Sequence, residues 1–432
     1  MKPSGIEWIG DIPDDWEVKR VKNTGKLIGG SAFPDEYQGV KNEEIPFIKV
    51  KSLAEDPISR NGKDSISESI RSKLNAEKFI IGSVVFAKVG AALLLQRFRI
   101  LEFESCIDNN MMGFIPLVIE PRFFKYVTVL FDFSYFVNPG TVPSINQEQI
   151  GNIKIPFPPL KTQQKIADYL DEKCGEIDAT IAKQKESIEK LKAYKQSLIS
   201  ETVTKGLDKS APLKPSGIDY LGDIPAHWEV KRIKELFSFG KGLPISKEDL
   251  IENGVPVINY GQIHSKDNNG TSIKDSLIRY VDLNYKNTNM TSLVESGDFI
   301  FADTSEDLDG CGNCIYVDSK YPIFAGYHCI ILRSIKRNSS KYLAYLFQMD
   351  AWRTQIRRDV TGVKVFSISK KILGKSYILF PPRYEQECIV NYLQEKCNEI
   401  DVIINKKQNI IQKLDAYKKS LIFECVTGKQ KI

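Results

Sequence analysis

Histidine is nearly missing, with 3 residues in a chain of 432. Acid–base or metal chemistry that runs on imidazole is therefore poorly supplied. No apolar run approaches ~18 residues, so no membrane-spanning helix is expected. The opening Met1-Lys2-Pro3-Ser4 lacks the apolar stretch of a secretion signal. The 8 cysteines are scattered, two of them on helical seams, which reads as reduced thiols of a cytoplasmic protein rather than a disulfide framework. Strong charge is absent too: 60 Lys and Arg stand against 55 Asp and Glu, a net charge of +5. That permits nucleic-acid binding but falls short of a strongly basic footprint. What is plentiful is core material, with 42% hydrophobic residues, 22 Phe and 18 Tyr.

The chain is organised around a long amphipathic stretch. Phe157-Pro158-Pro159 is a stop, and the residues from Lys161 to Thr204 contain no Pro and only Gly175. Ile166, Leu170, Cys174, Ile177, Ile181, Ile188, Leu191 and Leu198 recur at steps of three, four and seven, the seam of a helix close to a heptad repeat. At 1.5 Å per residue such a helix reaches roughly 66 Å. Its stripe needs a partner. Phe380-Pro381-Pro382 opens a second run with Ile389, Leu393, Cys397, Ile400, Ile404, Ile411, Leu414 and Leu421, each 223 residues after its counterpart.

The duplication extends further. Lys2-Pro3-Ser4-Gly5-Ile6, Gly10-Asp11-Ile12-Pro13 and Trp16-Glu17-Val18-Lys19-Arg20 return as Lys214-Pro215-Ser216-Gly217-Ile218, Gly222-Asp223-Ile224-Pro225 and Trp228-Glu229-Val230-Lys231-Arg232, at an offset of 212. The chain is a two-fold repeat, and the second copy carries 11 extra residues between lead-in and helix. Between these landmarks each copy reads as mixed α/β. In the first, Ile45–Val50 and Met112–Ile119 are expected strands, Lys78–Val89 a hairpin-like pair around Gly82, and Phe123–Phe136 a buried helix. In the second, strands are expected at Val255–Tyr260, Gly297–Ala302 and Tyr327–Leu332, and a helix at Lys341–Arg358. The side chains between landmarks differ greatly, so the copies share a scaffold and present different surfaces.

Enzyme signatures fail on inspection. Pro13-Asp14 with Glu17-Val18-Lys19 imitates a nuclease motif, but the spacing is too tight and Ala226 replaces Asp14 in the other copy. Gly374-Lys375-Ser376 imitates the end of a phosphate loop, yet Ser369 stands where the first Gly is required. Cys311, Cys314, His328 and Cys329 have zinc-like spacing, without an equivalent in the first copy. Phe-Pro-Pro lacks the amide or acid of an amino-methyltransferase motif. No catalytic residue, metal or cofactor is expected.

The basic and amide residues are more telling. Lys49, Lys51, Lys88, Gln96, Arg97, Asn109, Asn110 and Ser144 in the first copy, and Asn259, Tyr260, Gln262, Lys364 and Ser367 in the second, are candidate DNA contacts. Lys and Arg suit phosphates, and Asn and Gln can pair bidentately with a base edge. The first long helix, with 9 Lys against 8 acids between 161 and 205, is nearly neutral and reads as a spacer and partner platform.

With the paired lead-ins and the paired Phe-Pro-Pro…Gln…Ile…Tyr-Leu…Ile-Asp, the chain resembles the specificity subunit of type I restriction-modification systems. Further matches are Ala87-Lys88-Val89-Gly90, Val142-Pro143-Ser144-Ile145-Asn146, Gly297–Asp303 and Lys364–Ser369. The resemblance covers nearly the whole chain. It implies an α+β fold: two α/β target recognition domains (1–156 and 213–379) separated by a long antiparallel two-helix coiled coil (157–205 and 380–432), with a linker at 206–212 and pseudo-twofold symmetry. It implies a non-catalytic subunit that reads double-stranded DNA beside two methylation subunits and two motor-nuclease subunits. S-adenosylmethionine, ATP and magnesium would belong to those partners. The alternatives are a scaffold that no longer selects a DNA sequence, and a stand-alone nuclease.

Overall fold

The computed structural model describes residues 1–131, 133, 142–218, 220–335 and 341–432. Its contacts divide the chain into two compact units, Met1–Lys185 with Gln408–Ile432, and Glu186–Lys407. Among the described residues no helix is long and apolar enough to cross a membrane.

In the first unit, β1 (Glu17–Arg20) pairs antiparallel with β9 (Lys154–Phe157) and closes the base of the domain. A four-stranded antiparallel sheet has the order β2 (Gly25–Gly29), β8 (Met111–Pro116), β5 (Val84–Ala87), β6 (Arg99–Ile100). A second sheet joins β3 (Ile45–Ile48) to β4 (Asp64–Ile66) antiparallel and to β7 (Cys106–Ile107) parallel. Helix α1 (Pro121–Thr128) buries Phe123, Phe124 and Val127 in the core, and α2 (Gln147–Asn152) lies just before β9.

The second unit repeats this plan. Strands β10 (Glu229–Arg232) and β21 (Tyr377–Phe380) close the base. The main sheet runs β11 (Phe237–Lys241), β19 (Cys329–Ser334), β15 (Phe299–Ala302), β17 (Cys314–Tyr316). The second sheet pairs β12 (Val255–Ile258) antiparallel with β13 (Arg279–Val281) and parallel with β18 (Ile323–Ala325), and adds β14 (Leu293–Val294) beyond β18. A further ribbon, β16 (Thr304–Ser305) with β20 (Phe366–Ser367), has its first-copy counterpart in a lone bridge between Val89 and Ser144.

Three sequence expectations need correction. The segment before Gly82 does not fold back on β5; Phe79 bridges Ser105, and the Gly82 amide donates to the Leu101 carbonyl. The helix expected at Phe123–Phe136 starts earlier, because Pro121 suits a first helical turn and the Glu120 carboxylate caps the Phe123 amide at 2.6 Å. It ends at Thr128, and residues 132 and 134–136 of that expectation lie outside the described residues. The helix expected at Lys341–Arg358 is two: α4 (Lys341–Leu346) and α5 (Asp350–Arg357), broken at Met349, whose backbone is extended. The break packs Phe347 against Trp352, with ring centroids 4.4 Å apart and planes tilted by 45°.

After the short α6 (Lys370–Lys375), the chain reaches the second of its two long helices: these are α3 (Leu160–Lys205), 46 residues, and α7 (Arg383–Val426), 44 residues. Their starts share one device. Gln163 is buried, donates to the Pro158 carbonyl at 2.8 Å and accepts from the Glu120 amide at 2.9 Å. Gln386, its equivalent, donates to the Pro381 carbonyl at 2.8 Å. The Gln of the repeated motif thus satisfies a carbonyl just ahead of the helix. Within each unit the two helices run antiparallel. In the first, Asp178 meets Lys418 at 2.6 Å while Tyr169 meets Gln430 at 3.1 Å. In the second, Lys195 meets Asp401 at 2.7 Å. Asp401 and Lys418 are the residues 223 positions beyond Asp178 and Lys195, so one ion pair of the repeat is made twice, with the helices exchanging roles.

Helix ends dock on lead-ins. Gly206, just after α3, has φ +71, and a Cβ there would lie 3.1 Å from the Trp228 ring. Gly428, just after α7, has φ +72 and approaches Pro13 and Trp16 in the same way. Both are the left-handed caps that glycine supplies without strain. Trp228 also donates to the Glu385 carboxylate at 2.9 Å, and Lys429 donates to the Ile9 carbonyl at 2.9 Å. Because α7 ends on the first lead-in as α3 ends on the second, a chain opened near Ser210, with residue 432 linked to residue 1, should fold. Its thermal midpoint should stay near that of the parent. Insolubility across several linker lengths would mean that the docked ends are not equivalent.

Candidate nucleic-acid interface

The candidate residues gather where several strand ends meet, and the same backbone bonds tie that junction in both copies. After β5, the Lys88 amide donates to the Asn110 carbonyl at 2.9 Å, and the Lys88 carbonyl accepts from Ile145 at 3.0 Å. After β15, the Asp303 amide donates to the His328 carbonyl at 3.0 Å, and the Asp303 carbonyl accepts from Ile368 at 2.7 Å. The Asp108 amide donates to Ile48 at 3.0 Å, and the Gly326 amide to Ile258 at 2.7 Å. Strand register therefore matches Lys88 with Asp303, Asn109 with Tyr327, Asn110 with His328, and Ser144 with Ser367.

In the first copy the junction brings together Lys49, Lys51, Lys88, Asn109, Asn110 and Ser144. The Asp108 carboxylate organises it, accepting from the Asn110 amide at 2.8 Å and from the Val50 amide at 3.3 Å. Asn109 and Asn110 are exposed, and Lys88 and Ser144 half-buried. Lys51 is exposed on the turn that follows β3. Lys49 is committed inside the protein: its ammonium lies 2.6 Å from Asp64, donates to Gln38 at 2.7 Å and sits 4.9 Å from the Phe33 ring centre. Burial raises the Asp64 carboxyl, Lys49 outweighs it, and the net shift is below the usual value. Gln96 and Arg97 flank the junction on the loop after Gly90, whose amide donates to Pro143. Gln96 takes φ +51 and spends its amide on the Phe131 carbonyl at 2.9 Å, a loop-fixing role.

In the second copy Gly326 replaces Asp108, and the amide of Asn259 fills the vacated space; a Cβ on Gly326 would fall 1.6 Å from Asn259 Oδ1. Asn259 is 1% exposed, so it is framework and does not reach the surface. Gln262 is half-buried, and its Oε1 accepts from the Asn259 amide at 3.3 Å. Tyr260 is half-buried beneath an aromatic group described below. Ser367 pairs with Thr304, and Lys364 lies on the turn between Thr361 and Ser367, whose backbones bond at 3.0 Å. That turn holds its tip in solvent, with Val363 93% exposed.

Two residues that the sequence did not single out as DNA contacts complete the second junction: His328, read there only for its zinc-like spacing, and Asp303. His328 has φ +52, and its Nδ1 lies 3.1 Å from Asp303 Oδ1. Its ring meets Tyr260 at 5.4 Å and Tyr327 at 6.0 Å, near edge-on. His264 is different in kind. Its Nε2 bonds the Thr304 carbonyl at 2.8 Å and its Nδ1 the Asn313 amide at 3.1 Å, so both nitrogens are used within the fold. Cys311 and Cys314 belong to one core cluster and Cys329 to another, and burial pushes the Cys314 thiol up to about 12. These thiols pack as small apolar groups. Among the described residues no group of three or more His, Cys, Asp and Glu could hold a metal ion.

A duplicated α/β framework with one register and two sets of displayed side chains defines a protein built to recognise two different things with one scaffold. The family model for the type I restriction modification DNA specificity domain matches residues 13–192 and again 225–413, and the chain belongs to that family. It is 24% identical over 437 residues to the type I restriction enzyme MjaVIII specificity subunit of Methanocaldococcus jannaschii, spanning 98% of this chain and 94% of the relative. A solved chain from work on complex assembly and conformational transition of the type I R-M system superposes with a TM-score of 0.70 at 13% identity, over 97% of this chain and 100% of that one. The HsdS subunit from Thermoanaerobacter tengcongensis superposes at 0.51 with 14% identity, over 97% and 98%.

Proposed function

We propose that the chain is the DNA-recognition subunit of a type I restriction-modification complex, non-catalytic itself, which reads a bipartite asymmetric target and positions the subunits that act on it. The observation that carries this is the junction made twice, on matching backbone bonds, with Lys88, Asn109 and Asn110 on one copy and Asp303, Tyr327 and His328 on the other. A scaffold without selectivity has no need of two different polar displays at equivalent strand ends. Residues 1–156 and 213–379 act as the two target recognition domains. Residues 157–205 and 380–432 are the helices between them, and 206–212 is the linker. Lys51, Lys88, Arg97, Asn109, Asn110, Ser144, Tyr260, Lys364 and Ser367 contact double-stranded DNA, while Lys49, Gln96, Asn259 and Gln262 support the loops that do. The partners are two modification subunits and, in the full complex, two motor-nuclease subunits, in the cytoplasm. The test is to map methylated bases in DNA from cells that carry the chain with its modification subunit. A bipartite, asymmetric motif with an unread gap is expected. A contiguous or palindromic motif overturns the reading, and methylation without sequence preference favours the scaffold.

A further inference from the structure

Resting on that reading, we propose that His328, oriented by Asp303, is a base-reading side chain of the second recognition domain. It takes one hydrogen-bonding base edge of the second half-site. His328 stands where Asn110 stands in the first copy: each directly precedes the central strand of its sheet, and each carbonyl accepts the same backbone bond.

The backbone at His328 is in the left-handed region at φ +52, which is uncommon for a residue with a side chain. Its side chain is 55% exposed although the ring is flanked by two tyrosines. Tyr260 in turn meets Tyr327 at 5.5 Å and His264 at 6.2 Å, so the platform behind the imidazole is itself packed. A residue needed only for packing would be covered, and it would not need a carboxylate on its ring edge.

The chemistry of the pair fixes the orientation. An ionised carboxylate can only accept, so the proton between His328 and Asp303 belongs to Nδ1. That leaves Nε2, on the far side of the ring, for an external partner. With a neutral ring Nε2 accepts, matching the amino group of cytosine or adenine. With a charged ring it donates, matching guanine N7 or O6. The aromatic flanks and Asp303 hold the ring before DNA arrives, so little ordering remains to be done on binding. Asp303 is a positioning residue, because it acts through His328.

The test uses the chain assembled with its modification subunit, with the methylated motif mapped for each variant. His328→Asn takes the left-handed backbone without strain and copies the first domain. It should lower discrimination about tenfold at one base pair of one half-site, and leave the rest of the motif and the gap intact. Asp303→Ala should relax the same base pair, and Asp303→Asn, which still offers an acceptor to Nδ1, should restore part of the preference. If His328→Asn fails to assemble, Asp303→Ala, which keeps the backbone bonds of the loop, gives the decision alone. An unchanged bipartite motif in the assembling variants overturns the assignment of His328 while leaving the proposed function standing. A wild-type complex with no bipartite motif overturns the proposed function instead.

Discussion

Ile177→Asp together with Ile400→Asp should lower the thermal midpoint by roughly 10 °C or more for each unit affected. The two residues are equivalent seam positions of α3 and α7, exposed by 8% and 6%. Ile177 lies in the first unit's core cluster, with Leu421 and Ile422 from the returning helix in the same cluster. Replacement removes buried methyl groups, about 2–5 kcal/mol at a well-packed site. It also places a carboxylate where its charge is poorly solvated. Even about 3 kcal/mol per site is a large share of the ~5–15 kcal/mol that holds a domain together. Val402→Asp is the control: the same kind of substitution two residues from Ile400, at a position 43% exposed, should leave the midpoint almost unchanged. Because burial raises the pKa of an introduced carboxyl, the loss should be full at neutral pH and shrink as the pH falls through that raised value. A double variant that melts with the parent would remove the apolar seam from the account of stability. The ion pairs across the same helices are a weaker lever. Asp178–Lys418 and Lys195–Asp401 are partly exposed, so each contributes no more than about 1 kcal/mol.

The parts of this molecule that were legible in the sequence are those whose physics is local or repeated. Pro158-Pro159 and Pro381-Pro382 set the helix starts, and the spacing from Ile166 to Ile181 set the buried face. The 223-residue offset identified the helices' partners, because each needs cover and the other copy offers it. Strand existence was legible from apolar runs, as in β15 and β19. Strand partnership was not. The pairing of Phe79 with Ser105 and the parallel contact of β3 with β7 depend on chain segments far apart in sequence. A Gly between two apolar runs, as at Gly82, looks like a hairpin whether or not the runs meet. The break at Met349 was hidden because the residues around it are good helix formers. The break accompanies the packing of Phe347 against Trp352, a contact that residue propensities do not register.

The site divides along the same line. Lys88, Asn109, Asn110 and Ser144 were candidates by residue type, and the structure brings them to one junction. Asn259, with the same chemistry, is turned inward because Gly326 leaves room beneath it. No composition argument sees that exchange of an Asp108 carboxylate for a neighbouring amide. The pairing of His328, read only for its zinc-like spacing, with Asp303 went unread for a related reason. They are 25 positions apart, and only the register of β15 against β19, in which Ala302 faces Cys329, places them side by side.

Exchange of residues 23–153 for the matching segment of a relative with a different target should replace one half of the methylated motif completely and leave the other half untouched. The cut points are chosen by the structure. They spare β1 and β9, whose antiparallel pairing from Glu17↔Phe157 to Arg20↔Lys154 closes the base of the domain through backbone bonds that tolerate any side chain. They also spare α3 and its buried start at Gln163. Inside the exchanged segment lie all the first-copy residues proposed to contact DNA, Lys51, Lys88, Arg97, Asn109, Asn110 and Ser144. The chain already demonstrates that the framework accepts such an exchange. Its second copy keeps the backbone bonds of the junction while substituting Asp303 for Lys88, Gly326 for Asp108 and His328 for Asn110. Recognition that resides in those side chains moves with the segment, and each base pair changed in the motif reflects about 1–3 kcal/mol of discrimination carried by the new residues. Methylation mapping of the exchanged complex reads both halves at once. Alteration of both halves, or of neither, would mean that the junction residues do not read the target.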